Sequence, residues 1–206
     1  MGGLVEEQLR AALQFYSTQD SSLLSKTDEI EKKINAAEID LDEQVETLIV
    51  RRQPIASDLR LVLAVSKIVR DLERMGDELE KVGSLSLECF MSGSDVGVTE
   101  IQQIAEQVAK MLSESLNAFA RLDLDLAREI FQREREVDKV YQSALRALAT
   151  FMIEDPRNIG RILNIVWIAR SLERVGDHAT NIAEYVIYLV QGVDVRHPAV
   201  NQNSFD

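Results

Sequence analysis

The chain has 206 residues, 46% hydrophobic and 28% charged, which supplies a core and excludes a generically disordered protein. With 3 prolines and 9 glycines it holds too few turn formers for a sandwich or barrel, so long helices are favoured. A net charge of -12 disfavours direct binding to nucleic acid or to an anionic membrane surface.

The first predicted helix runs from about Leu4 to Thr18, the second from Ser22 to Arg52, and the third from Pro54 to Met91, with Pro54 as its starting device. Ser92 to Gly97 is the Gly/Ser-rich break in the middle of the chain and reads as the linker. Thr99 is then the expected N-cap of a fourth helix, along which Ile101, Ile104, Ala105, Val108, Met111, Leu112 and Leu116 recur at helical spacing. Leu122-Asp123 breaks it. A fifth helix spans about Leu124 to Met152, and Asp155-Pro156 opens a sixth that continues to Gln191, before Gly192. Helices near 30 residues without internal breakers suggest a bundle. The tail from Val193 looks irregular, and the first helix is shorter than the fourth, as though part of it were missing.

The chain repeats itself. Arg70-Asp71-Leu72-Glu73-Arg74-Met75-Gly76-Asp77 and Arg170-Ser171-Leu172-Glu173-Arg174-Val175-Gly176-Asp177 lie 100 residues apart and agree at six of eight positions. Glu38-Ile39-Asp40-Leu41-Asp42 resembles Glu134-Arg135-Glu136-Val137-Asp138 at an offset of 96. One supersecondary unit is used twice. The expected architecture is all-α: two tandem three-helix bundles related by pseudo-twofold symmetry, over residues 1–92 and 99–192, with a linker at 93–98 and a tail at 193–206.

Four segments carry an acid followed four residues later by aspartate: Glu38/Asp42, Glu73/Asp77, Glu134/Asp138 and Glu173/Asp177. Residues four apart on a helix are neighbours, and two acids so placed repel by roughly 0.2–0.5 kcal/mol when exposed. A cation would offset that. Glu73 and Asp77 flank the apolar stripe of Val62, Val65, Val69, Leu72 and Leu79, and Glu173 and Asp177 flank theirs alike. If the second and third helices of each unit pack antiparallel, the acid pairs converge on facing helices, a carboxylate site suited to Mg, Mn, Ca or bridged iron. The plainer alternative is a solvated flank, with Arg70 and Arg74 pairing Glu73, Asp77 and Glu78. Gly76 and Gly176 sit within helices at a cost of about 1 kcal/mol each, which close helix approach explains.

Cys89, the single cysteine, excludes an internal disulfide, fits a reducing compartment, and reads as packing. Trp167 reads as core. No basic-then-apolar signal opens the chain and no apolar run nears a membrane span, so a cytoplasmic protein without membrane insertion is expected. Two histidines, His178 and His197, give no symmetric ligand pair, and no Walker-type loop or nucleophile elbow occurs. Arg51, Arg52, Asp58 and Arg60 form a polar cluster at the second turn, either a partner surface or a cap.

Arg51-Arg52-Gln53-Pro54-Ile55-Ala56-Ser57-Asp58-Leu59-Arg60 and the two Glu-Arg-x-Gly-Asp segments resemble the PhoU family of bacterial phosphate-signalling regulators, over nearly the whole chain. The resemblance implies two tandem three-helix bundles and carboxylate motifs holding divalent or iron ions (Mg, Mn, Fe or Zn). By position these are Glu38, Asp42, Glu73 and Asp77 in one bundle and Glu134, Asp138, Glu173 and Asp177 in the other. It implies a non-enzymatic, homodimeric negative regulator of the phosphate-starvation response, linking the phosphate ABC transporter ATPase PstB to the sensor histidine kinase PhoR. The competing expectation is a carboxylate-cluster metalloprotein acting as a metal-dependent hydrolase or metal store.

Overall fold

The computed structural model describes residues 1–91 and 97–195. They form six helices: α1 (Gly2–Thr18), α2 (Ser21–Arg52), α3 (Ser57–Met91), α4 (Val98–Arg121), α5 (Leu124–Glu154) and α6 (Ile159–Gln191), with a 3₁₀ turn at Pro156–Asn158. There is no strand among the described residues. The linker expected at 93–98 falls mostly on 92–96, and most of the expected tail on 196–206; both stretches lie outside the described residues.

Two aspartate caps set the helix starts. Asp20 accepts from the Ser22 backbone N–H, and Asp123 from those of Asp125 and Leu126, so each satisfies donors left free in a first turn. Left-handed residues end the helices before them: Gln19 at φ 61° and Leu122 at φ 51°. The two expected starts that fail do so locally. Pro54 does not open α3, because Gln53 (φ 46°) and Ala56 (φ 49°) are both left-handed and helix begins only at Ser57. A residue preceding proline avoids the helical region, so Gln53 ends α2 and a turn is needed before α3. Thr99 is not the cap of α4; Gly97 is, at φ 82°, where glycine carries no Cβ penalty. Pro156 behaves as expected, leading through the 3₁₀ turn into α6.

Each repeat buries a stripe at helical spacing. In the first these are Val5, Leu9 and Ala12 of α1, Ile30 and Ile34 of α2, and Leu72, Met75 and Leu79 of α3. In the second, Ile104, Val108 and Leu112 meet Ile130, Val137, Ile168, Leu172 and Val175. Each fully buried aliphatic side chain contributes roughly 1.5–3 kcal/mol. The repeats join through α3 against α6 and α1 against α4, while α2 and α5 touch only their own repeat. α3 and α6 run antiparallel. Arg60 lies over the Tyr188 ring, Lys67 over Tyr185, and Asp71, Glu78 and Glu88 accept from Asn181, Ser171 and Asn164 in turn. Trp167, expected in the core, is 60% exposed on this seam, beside Leu85, Arg170 and Arg174. A three-helix bundle can bury only one face of each helix, and Trp167 falls on the outer one.

Candidate functional site

In the second repeat α5 presents Glu134 and Asp138 toward Glu173 and Asp177 of α6. Burial pushes the Glu134 carboxyl above its usual range, and the charges of Asp177 and Asp138 push it further, against a hydrogen bond with Thr180. Glu173 is raised first by burial, then by Asp177, with Arg170 opposing and Asp138 adding. Asp177 is raised by desolvation, with Arg170 opposing and Asp138 adding. These four acids therefore lie within one another's field. Glu173 Oε1 accepts from Arg170 Nη1 at 2.6 Å, while Glu173 Oε2 is buried and unpartnered.

The first repeat gathers a different set. Burial raises Glu73, followed by Asp77, Glu38 and Glu31, with Arg74 opposing. Glu31 is 5% exposed on α2. Burial raises it too; Gln8 and Asn35 oppose by hydrogen bonding, and Asp77 and Glu80 add repulsion. Gln8 Nε2 donates to Glu31 Oε2 at 2.7 Å and to the Gly76 carbonyl at 3.2 Å. Glu31 Oε1 and Gln8 Oε1 are buried without a hydrogen-bond partner.

Glu31 corrects the repeat register. A Cβ on Gly76 would meet Glu31 and Ile34, whereas one on Gly83 would meet Leu24 and Thr27: seven residues forward on α3 move seven residues back on α2. Asp42 then faces Val65 to Ile68, roughly 14–18 Å along α3 from Asp77, and is exposed. In the second repeat Gly176 meets Val137. The offset between α2 and α5 is thus 103, as between the caps Asp20 and Asp123, and not 96. Glu31 is the counterpart of Glu134, Asn35 of Asp138, and Glu38 of Tyr141. The Glu38/Asp42 spelling imitates the motif one heptad too late. The charge of Glu38 still acts on Glu73; Asp42 is outside the group. The matched caps in the sequence carried the signal that would have set the register.

The two clusters meet between the repeats. Asp77 and Asp177 line one cavity of about 430 Å³ with Arg74, Arg174 and His178. His178 Nδ1 lies 2.8 Å from Asp71 Oδ1, and Glu78 accepts from Ser171, Arg174 and Lys81. As the side chains lie, no group of three or more His, Cys, Asp or Glu among the described residues is gathered tightly enough to hold a metal ion. The carboxylates are nevertheless of the type that suits a hard cation: they repel one another, and Glu31 and Glu173 each bury an unpartnered oxygen, although Gln8 Nε2 and Arg170 Nη1 already donate to their other oxygens. Closing a shell takes side-chain movement.

The other predicted cluster sits at the α2–α3 turn. Arg51 and Arg52 end α2, exposed, and Asp58 opens α3, also exposed. Arg60 is half-buried against Tyr188 and against Gly192. Ile55, 78% exposed, stands at the apex. No helix among the described residues is long and apolar enough to cross a membrane.

A PhoU domain model matches the chain twice, over residues 1–85 and 101–186. The chain is 52% identical over 198 residues to a Pseudomonas aeruginosa protein named phosphate-specific transport system accessory protein PhoU homolog, covering 96% of this chain and 82% of that one. It is 40% identical over 197 residues to the Escherichia coli phosphate-specific transport system accessory protein PhoU, with 96% and 82% covered. The fold is similar to the crystal structure of PhoU from Pseudomonas aeruginosa, with a TM-score of 0.90, 50% identity, and 94% and 93% of the two chains covered. A phosphate transport system regulatory protein PhoU from Streptococcus pneumoniae superposes with a TM-score of 0.86 at 25% identity, over 94% and 91%. Two copies of one three-helix unit, both matched, with identities well above chance over nearly the full length, leave one conclusion: the chain belongs to the PhoU family.

Proposed function

We propose that this chain is an accessory protein of a phosphate transport system that keeps the phosphate-starvation response off when phosphate is plentiful. The observation that carries the reading is the match to accessory proteins of that system over 96% of the chain. In this reading it acts on the cytoplasmic side, docking on the transporter's ATPase (PstB) and on the sensor kinase (PhoR). It favours one kinase state by binding that state more tightly, which requires no catalysis of its own. The α2–α3 turn, with exposed Arg51, Arg52 and Ile55, is the surface offered to a partner. A phosphatase reporter driven by the phosphate-starvation response tests this. Deletion of the gene gives high output in abundant phosphate, and the intact gene restores low output. Low output in the deletion strain overturns the reading.

The carboxylate clusters serve in this reading as cation sites that stabilise the two bundles. Glu134, Asp138, Glu173 and Asp177 hold one; Glu31, Glu73 and Asp77, with Glu38 near, hold the other. A bound divalent or iron ion would neutralise the repulsion that raises these carboxyls. Replacing Glu73 and Asp77 together by alanine should lower bound metal per chain. Unchanged metal content removes the first bundle from the claim.

A further inference from the structure

The outer side of the α3–α6 seam carries a pattern that the carboxylate clusters do not use. On α3, Arg60, Lys67, Arg74 and Lys81 recur at every seventh residue, and no acid takes that register until Glu88. Residues seven apart stand two helical turns above one another, so these cations form a ladder with steps of about 10.5 Å and a length of about 32 Å. Lys67, Arg74 and Lys81 are exposed, and Arg60 is half-buried. In a chain of net charge -12, this seam is a basic tract.

The lower rungs are held in place without being neutralised. Arg60 lies over the Tyr188 ring at 5.4 Å and Lys67 over the Tyr185 ring at 5.7 Å. An aromatic face attracts a cation but bears no net charge, so the position is fixed and the charge remains. Among the described residues, Arg60, Lys67 and Arg74 form no ion pair. Higher up, Lys81 and Arg174 share one buried carboxylate, Glu78, which leaves that trio positive. Asp77 and Asp177 line the cavity of Arg74 and Arg174, so the uncompensated charge is greatest at Arg60 and Lys67. Beside Lys81 the seam opens into a cavity of about 470 Å³, where Leu85 and the 60% exposed Trp167 supply apolar surface.

We propose that this seam is the docking surface for an acidic helix of a partner protein. Its carboxylates recur every seventh residue to face Arg60, Lys67, Arg74 and Lys81, and one apolar side chain enters the cavity beside Trp167. The spacing selects a helix: steps of about 10.5 Å match two turns of a helix lying alongside. Phosphates along a DNA strand follow one another at about 3.4 Å, and the overall negative charge repels both a long polyanion and an anionic bilayer. The surface goes beyond the exposed α2–α3 turn, and a low reporter output in the deletion strain would leave it standing.

The test uses the full chain and a synthetic helical peptide without tryptophan, with glutamates at four positions seven apart and one leucine set to meet Trp167. A control peptide has the same composition with its glutamates consecutive. Trp167 is the only tryptophan in the chain, so its emission reports binding directly. The spaced peptide should bind and shift the emission to the blue, and the control should bind several-fold more weakly. Arg60→Gln with Lys67→Gln should weaken the spaced peptide by about fivefold, as two exposed ion pairs would. Lys32→Gln with Lys33→Gln, the same charge change on exposed α2 positions, should leave it unchanged. Melting curves check that each variant is folded. No binding, equal binding of the two peptides, or equal effects of the two double variants overturns the inference. So does tighter binding to anionic vesicles or to single-stranded DNA than to the spaced peptide. Dimerisation of the wild type that Arg60→Gln with Lys67→Gln abolishes would give the seam to a second copy of the chain and overturn it likewise.

Discussion

Gly76 and Gly176 occupy equivalent places in α3 and α6, and the same substitution should move stability in opposite directions. A Cβ at Gly176 would lie 3.8 Å from Met111 Sδ and Val137 Cγ1, ordinary contact. Gly176→Ala therefore gains the helix preference of alanine, about 1 kcal/mol, at no steric cost. At Gly76 the new carbon would lie 2.7 Å from Glu31 Oε2, with Ile34 Cδ1 at 3.3 Å and Gln8 Oε1 at 3.4 Å. The Glu31 carboxyl must move, giving up its bond from Gln8. Loss of a buried hydrogen bond to a carboxyl costs about 1.5–3 kcal/mol. After the same helix gain, Gly76→Ala is destabilising by roughly 1 kcal/mol, and the two variants differ by about 2 kcal/mol. Urea unfolding followed by circular dichroism reads this as midpoint shifts of opposite sign. In a Glu31→Ala background the obstacle is gone, and Gly76→Ala should become neutral or stabilising, so the cycle isolates the pair. Equal shifts for the two glycine variants, or no coupling to Glu31, would refute the placement of Glu31 against α3.

Burial raises Glu31, Glu73, Glu134, Glu173 and Asp177 in the folded state. The native protein therefore holds more protons than the unfolded chain above the ordinary carboxylate range near about 4, and stability should fall as pH rises from about 5 to 7 in the absence of metal. Carboxyls held low, such as Glu78 and Asp155, act below that window with the opposite sign. Thermal melts with chelator against pH measure the slope; a melting temperature rising over that range contradicts it. Glu78→Ala removes the acceptor of Ser171 and Arg174 across the α3–α6 seam and should cost about 1–3 kcal/mol, visible as a lower urea midpoint. Asp123→Ala removes the α5 cap, with an expected loss of about 1 kcal/mol, and Asp123→Asn should restore most of it.

The helical architecture is legible in the sequence because both devices that specify it are local. Apolar residues recur at helical spacing, and aspartates stand where two helices begin. The Glu73/Asp77 and Glu173/Asp177 pairs are likewise legible, since a near-identical octapeptide marks both. Glu31 is not, and the reason is physical. Its importance comes from Gly76 and Gln8, which lie 45 residues after it and 23 before it in the chain, and only packing brings the three together. Glu38 and Asp42 show the converse error: an acid pair with the right spelling lies on the same helix, but register along that helix decides what it faces. The turn at Gln53–Ala56 is not legible in the sequence, because a proline suits a helix start equally well whether helix follows at once or three residues later.

α3 is a single unbroken helix from Ser57 to Met91. Gly76, against which Glu31 is packed, and Ser57, which follows the turn, are thus two points on one stiff rod, about 29 Å apart at about 1.5 Å per residue. With Gly76 as fulcrum, a tilt of about 3° would carry the turn through about 1.5 Å, the scale of the interface helix shifts that accompany switching. A change in the crowding of Glu31 against α3 that tilted the helix would, by leverage, move the start of α3 and with it the adjoining turn that carries Ile55.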